Sequence, residues 1–242
     1  MAATLHVALG PRDLAPADVA IVVDCIRATT TISHALAAGY DSVVCVGEIE
    51  DAFRERAEGG EGVLLGGERH GVLIEGFDLG NSPAEYVEAR ADRLVLTTTN
   101  GTRAILQSAD EANVVFVGAL VCAQGLVEAA LAAAPVDGTI IVRCAGVRNQ
   151  LALDDVYVAG VLMQRLVERL VNPFVSDAAR SALALTRAYP DALAALEDSQ
   201  SARDLYGTGL EADIARCAQL DTLAIAPRVT AAIAGRVVVA LN

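Results

Sequence analysis

Along the chain, short unbroken apolar runs alternate with stretches in which apolar residues return every three or four positions. The runs are rich in Val, Ile and Leu, and they predict strands at 4–9, 19–24, 42–46, 63–65, 93–98, 113–117 and 139–144. The helical rhythm between them predicts helices at 30–38, 49–57, 83–89, 102–108, 121–134 and 155–170. Such alternation argues for an α/β fold, a three-layer α/β/α arrangement around a mainly parallel or mixed central sheet. From 176 to 218 the pattern is almost wholly helical, broken at Tyr189-Pro190 and Tyr206-Gly207, and reads as a helical insert. A last apolar run at 237–241 is expected as an edge or terminal strand. No internal repeat or low-complexity linker divides residues 1–242, so a single domain is the expectation.

Composition narrows the picture. Apolar residues make up 54% of the chain, enough for a sizeable core, yet aromatics are only 4% and Trp is absent. The core must therefore be built from Ala, Val, Leu and Ile. Alanine-rich helices with few aromatics suit packing against a second copy, so a homo-oligomer is expected. The segment 114–136 is long and nearly uncharged, but it holds Gln124 and Glu128 and changes from β-branched to helix-forming midway. A buried strand followed by a helix explains it better than a membrane span. Five scattered cysteines, never spaced as C-x-x-C, and no secretory leader in the first ten residues give the expectation of a reducing, cytoplasmic setting.

The net charge is −13, and all 18 basic residues are Arg. A chain this acidic with no basic run repels a nucleic-acid backbone, so no such partner is expected. The absence of lysine excludes Schiff-base chemistry and a Walker-type phosphate loop.

Polar residues crowd where predicted strands run into helices, the usual ligand edge of an open α/β sheet. Asp24 ends one apolar run and begins Asp24-Cys25-Ile26-Arg27-Ala28-Thr29-Thr30-Thr31. A carboxylate there can be a hard ligand for magnesium or a nucleophile. Arg27 offers a planar fork to phosphate, carboxylate or sulfonate. Thr29 to Thr31 sit where amides and hydroxyls can hold an anion or simply cap a helix. Thr97-Thr98-Thr99-Asn100-Gly101-Thr102 repeats the logic before another helix. Two glycine-rich segments carry Glu68, Arg69, His70, Asp78 and Asn81, a composition suited to a shaped polar loop. Cys144-Ala145-Gly146 follows a strand, and Asp154-Asp155 opens a long helix, where acids can bind metal or offset the helix dipole. There is no H-E-x-x-H, G-x-S-x-G or complete G-x-G-x-x-G, and His6, His34 and His70 do not cluster, so a histidine-built zinc site is not expected. His70 reads as an incidental surface histidine.

Taken in order, D-C-I-R-A-T-T-T at 24–31, G-E-R-H-G at 67–71, G-F-D-L-G-N-S-P at 76–83, T-T-N-G-T at 98–102 and C-A-G at 144–146 resemble the 2-phosphosulfolactate phosphatase family. The likeness runs over about residues 24–160, with a weaker echo at 209–217. It implies a three-layer α/β fold and Mg²⁺-dependent hydrolysis of 2-phosphosulfolactate, a small and highly anionic phosphate ester, to sulfolactate and phosphate on a route to coenzyme M. Asp24, Arg27, Glu68, Arg69 and Asp78 are then expected to be catalytic, with Asp24, Glu68, Asp78 and Asp155 available to Mg²⁺. Thr29, Thr30, Asn81, Thr99, Asn100, Gly101, Thr102, Cys144 and Gly146 are expected around the substrate. Attack by water and attack by an aspartate both remain open. Two residues depart from the family's pattern. Asp154 stands where Glu is usual, and Arg143, in place of an apolar strand residue, reads as an extra anion contact or an exposed edge residue. A same-fold phosphatase for another ester and a non-catalytic binder of an anionic metabolite are the competing readings.

Overall fold

A computed structural model describes residues 2–13, 15–233 and 235–241. The strands are β1 (Thr4–Ala8), β2 (Ala17–Val23), β3 (Ser42–Val46), β4 (Val63–Arg69), β5 (Val72–Leu73), β6 (Arg93–Thr97), β7 (Ala112–Gly118), β8 (Thr139–Cys144), β9 (Phe174–Val175), β10 (Arg228–Ile233) and β11 (Arg236–Ala240). The helices are α1 (Ala28–Ala37), α2 (Ile49–Gly59), α3 (Gly101–Glu111), α4 (Ala123–Ala133), α5 (Leu153–Arg169), α6 (Asp177–Thr186), α7 (Ala192–Glu197), α8 (Gln200–Arg203) and α9 (Ala212–Cys217). All eleven strands join one mixed sheet in the order β5-β4-β6-β3-β11-β10-β7-β2-β8-β1-β9. The architecture is α/β, as the alternation predicts.

The strands sort their side chains by parity. In β2, Val19, Ile21 and Val23 enter a core with α4 and α5, while Ala20 and Val22 enter a second core with α1 and α3. In β6, Leu94 and Leu96 join that second core, and Val95 joins a third one with Ala52 of α2. Helices therefore cover both faces, and fully burying each Leu or Ile contributes about 1.5–3 kcal/mol. The helical stretch after β9 packs into the same cluster as α5 and β2, through Ala179, Ala182, Leu196 and Ile214.

Two parallel sets make up the sheet. β4, β6 and β3 are parallel to one another, as are β7, β2, β8 and β1. The antiparallel pair β10 and β11 sews them together through β7 and β3. Three successive antiparallel pairings make the two sets nominally opposed in direction. Five strand-to-strand steps separate β6 from β2, and a twist of about 20–25° per step accumulates to about 100–125°. Twist of that size works against the reversal, and residues at the carboxyl ends of β4 and β6 line one pocket with those of β2 and β8.

Some expectations change. The run at 237–241 becomes β11, which is interior: it pairs with β3 on one side and β10 on the other. β10 itself has no counterpart among the predicted strands, because most of its residues face solvent and show no alternation. The helix expected at 83–89 is only a 3-10 turn, Pro83–Glu85, closed by a capping box between Ser82 and Glu85. Tyr86 follows and is buried, its hydroxyl donating to the Gly80 carbonyl, so the chain turns back. The segment 114–136 forms β7, a 3-10 turn and α4; among the described residues no helix is long and apolar enough to cross a membrane. Arg143 is not an exposed edge residue. It is buried in β8, ion-paired to Glu111 at 2.8 Å and donating to the Ala15 carbonyl.

Candidate functional site

A pocket of about 650 Å³ opens where β2, β4, β6 and β8 end. Asp24, Ile26 and Arg27 come to its wall from the β2–α1 turn, Glu68 and His70 from the end of β4, and Thr99 and Asn100 from the β6–α3 turn. Asn81, Ala145, Gly146, Asp155, Ser201 and Asp204 contribute further, with Arg103 and Arg148 at the rim.

The turn after β2 is built around Asp24. Its main chain exchanges two hydrogen bonds with the Thr29 hydroxyl, at 3.2 and 2.9 Å, and Thr30 donates its hydroxyl to the Cys25 carbonyl at 2.8 Å. The Asp24 carboxylate accepts from Ala28 N–H, in the first turn of α1, through Oδ1. Its Oδ2 sits over Gly101 at the start of α3, where an added Cβ would stand 2.8 Å away and 2.5 Å from the Ala28 side chain. Glycine at 101 is thus required for α3 to begin against Asp24. The first turns of two helices, α1 and α3, meet at this carboxylate, and their dipoles favour negative charge there.

Asp154 and Asp155 hold the same turn from behind. Asp155 accepts Cys25 N–H and Gly146 N–H at 2.9 and 2.8 Å, and Asp154 accepts Ile26 N–H and the Ser201 hydroxyl. Burial raises the proton affinity of all three carboxyls. Asp24 is pushed up to about 7, by burial first and then by the charge of Asp154. Asp154 is pushed up to about 6 by burial, with its hydrogen bonds working against the shift. Asp155 is raised well above the ordinary carboxylate range by burial and then by its two acidic neighbours. Groups this close titrate as a set.

Glu68 closes the opposite side. It accepts Thr99 N–H at 2.8 Å, Gly71 N–H at 2.7 Å and the Thr99 hydroxyl at 3.2 Å. β4 can bring it there because Gly67, at φ +146°, lies so close to β6 that a Cβ would strike the Thr97 carbonyl. Arg27 is buried and anchored, its Nη1 donating to Asp213 Oδ2 at 2.8 Å.

Of the residues expected at the site, Asp24, Arg27, Glu68, Asn81, Thr99, Asn100, Gly146 and Asp155 line the pocket. Others support it from behind. Thr29 and Thr30 bind main-chain carbonyls, Gly101 starts α3, and Thr102 exchanges hydrogen bonds with Thr98. Cys144 is a buried thiol whose proton is held on by burial, and it is not in the pocket wall. Two expectations are corrected. Asp78 turns away from the pocket, accepting Leu65 N–H at 2.8 Å and pairing with Arg56 at 3.1 Å. Arg69 is drawn to the Glu68 and Gly47 carbonyls and the Thr97 hydroxyl, so it braces the wall and does not face into the pocket. His70, expected to be incidental, lines the pocket, as do Arg103, Arg148, Ser201 and Asp204. Asp213 was marked only by the echo at 209–217. Among the described residues no group of three or more His, Cys, Asp or Glu side chains is gathered as a ready-made metal cage. Asp24, Glu68, Asp155 and Asp204 are the carboxylates of the pocket wall, a donor set that suits magnesium, which commonly takes one or two carboxylates and completes its shell with water and substrate phosphate.

Comparison with known proteins gives the family. The family model described as 2-phosphosulpholactate phosphatase matches residues 6–232. A Thermus thermophilus protein named "Probable 2-phosphosulfolactate phosphatase" is 42% identical over 217 residues, covering 88% of this chain and 89% of the relative. Proteins of the same name from Symbiobacterium thermophilum and Deinococcus radiodurans are each 41% identical; the first match covers 86% of this chain and 90% of the relative, the second 87% of each.

Proposed function

The chain belongs to the 2-phosphosulfolactate phosphatase family, and from that membership we propose that it hydrolyses a small, strongly anionic phosphate ester, 2-phosphosulfolactate in the first instance, to sulfolactate and phosphate. The observation that carries the reading is the placement of Asp24, buried in the pocket wall where the first turns of α1 and α3 meet and beside the anchored Arg27.

Phosphoryl transfer needs little covalent help from a protein beyond positioning and charge. The Arg27 guanidinium presents a fork that fits the paired oxygens of a phosphate, carboxylate or sulfonate. The amide-rich starts of α1 and α3 favour the same charge. Asp24, with its proton affinity raised to about 7, can hold or release a proton near neutral pH at Oδ2, or attack phosphorus through that oxygen. A phosphoenzyme trapped by rapid acid quench would identify Asp24 as the nucleophile. Its absence during turnover would assign the attack to water.

We further propose that Mg²⁺ is required and that Asp24 and Glu68 would hold it, with Asp155 behind them. When bound, the ion would neutralise phosphate charge that an acidic protein otherwise repels. The reaction would lie on a route to coenzyme M, as the family resemblance implies. Five free, buried cysteines suit a reducing compartment, which supports a cytoplasmic enzyme.

The test is phosphate release from racemic 2-phosphosulfolactate and a panel of small phosphate esters, each with Mg²⁺ or with EDTA. Magnesium-dependent release strongest for phosphosulfolactate is expected. Release from a different ester would keep the chemistry and replace the substrate. Binding without release from any of them would replace the enzyme with a binding protein.

A further inference from the structure

One buried carboxylate outside the expected site reaches it through two neighbours. Asp213, on α9, is 2% exposed and has both oxygens engaged. Oδ2 accepts Arg27 Nη1 at 2.8 Å, and Oδ1 accepts the Ser82 hydroxyl at 2.7 Å. Arg27 lines the pocket from the β2–α1 turn. Ser82 caps the 3-10 turn at Pro83–Glu85, against which both α1 and α9 pack. Immediately before it comes Asn81, 6% exposed and also in the pocket wall. The Asn81 carbonyl is pinned by the Thr31 hydroxyl at 2.9 Å, yet its side-chain Oδ1 is buried with no hydrogen-bond partner.

A buried amide with an unmatched end is expensive unless something meets it. An amide presents either its oxygen or its NH₂ group to a given point through a half-turn, and an anionic ligand selects the NH₂. Arg27 and Asn81 come from segments far apart in sequence, and Asp213 ties both of those segments to one carboxylate.

Building on the reading of the pocket as a phosphate-ester site, we infer that Asp213 is a positioning residue for anion recognition. It holds the Arg27 guanidinium and the Asn81–Ser82 segment as one wall, so that Arg27 and the Asn81 amide engage the oxyanions of the ligand together. The helical stretch carrying α9 is thereby part of the binding apparatus through a residue that need not touch the substrate.

A double-substitution cycle tests this, read out as the Kd for inorganic phosphate by calorimetry, the separate KM and kcat for ester hydrolysis, and the melting temperature. Asp213→Asn is expected to raise phosphate Kd and KM by about tenfold or more, since it removes one charge of a buried pair. In an Arg27→Gln background the same change should alter phosphate Kd by no more than about threefold, because only the Asn81–Ser82 side is left for Asp213 to hold. Ser82→Ala, a small change on the other side of the carboxylate, should raise Kd about threefold. Equal losses from Asp213→Asn in both backgrounds would mean a merely structural role and overturn the proposal. Should Asp213→Asn fail to fold, Ser82→Ala decides: an unchanged phosphate Kd and KM would also overturn it. Wild-type protein that binds no phosphate would do the same. Wild-type protein that binds phosphate but hydrolyses no ester would sink the catalytic reading alone, with the binding cycle still deciding the role of Asp213.

Discussion

Asp24 and Glu68 face each other across the pocket at the same depth, each 8% exposed, but the protein treats them differently. Glu68 accepts two main-chain N–H groups and a hydroxyl. Asp24 accepts a long hydrogen bond at Oδ1, and burial first, then the charges of Asp154 behind it and Glu68 opposite, raise its proton affinity. The β4–β6 wall is already held by these hydrogen bonds, which fix Glu68 in place as an oxygen donor for the proposed cation. The β2 wall carries charge that a proton, a cation or a reacting phosphoryl group can relieve. Composition does not separate the two, since both are acids in glycine- and threonine-rich turns; hydrogen-bond supply does.

The largest difference between the two walls is expected from Asp24→Asn. It should lower kcat about 10²–10⁴-fold in phosphate release, the usual range for a proton-transferring group. It should leave the melting temperature at pH 8 equal or higher, because a buried carboxylate whose charge the fold disfavours is gone. A matched loss of activity and stability would contradict the assignment. Glu68→Gln should differ by lowering stability as well as activity, the latter through the proposed cation. Its NH₂ group must face a donor at Thr99 or Gly71, and one lost buried hydrogen bond costs about 1–3 kcal/mol in denaturant unfolding. A Glu68→Gln protein as stable as wild type would remove the role of these hydrogen bonds in holding the wall.

The pH dependence sharpens the same contrast. Asp24 and Asp154 have folded-state values of about 7 and 6 against 3.8 for an ordinary aspartate. Between those limits the folded protein binds more protons than the unfolded chain, so stability falls as pH rises. The contribution of these groups is fully present below about pH 4 and is lost as pH passes through 6 and 7. In EDTA the melting temperature should therefore decline from pH 5 to pH 8, and the Asp24→Asn protein should show a much shallower decline. Magnesium should flatten the wild-type slope if it binds at these carboxylates. A wild-type slope of the opposite sign in EDTA would contradict the account of the β2 wall.

The smallest effect belongs to Asp78. Asn at 78 can still accept from Leu65 N–H, so only the half-exposed pair with Arg56 is lost, about 0.2–1 kcal/mol. Activity should stay within about twofold of wild type.

Asp78 also marks the limit of what the sequence reveals. Glu68 and Asp78 lie ten residues apart in equally polar, glycine-rich segments, and only the fold decides that one enters the pocket while the other braces Leu65 and Arg56. Residues at strand ends were readable because parity and length fix where a strand stops; Asp24, Thr99 and Asn100 are of this kind. Asp213, Ser201 and Asp204 come from the helical stretch beyond residue 176, where no strand end points to a ligand. Similarly, the strand at 237–241 was visible as an apolar run, but its interior place depends on pairing with β3 and with solvent-facing β10.

Hydrolysis of a phosphate ester in the Asp24 pocket can be followed with 2-phosphosulfolactate by phosphorus NMR, using wild-type protein and Asp24→Asn, each with Mg²⁺ and with EDTA. The prediction is conversion of the ester signal to inorganic phosphate by wild type with Mg²⁺, and little or none in the other three samples. Equal conversion by the folded Asp24→Asn protein would contradict it.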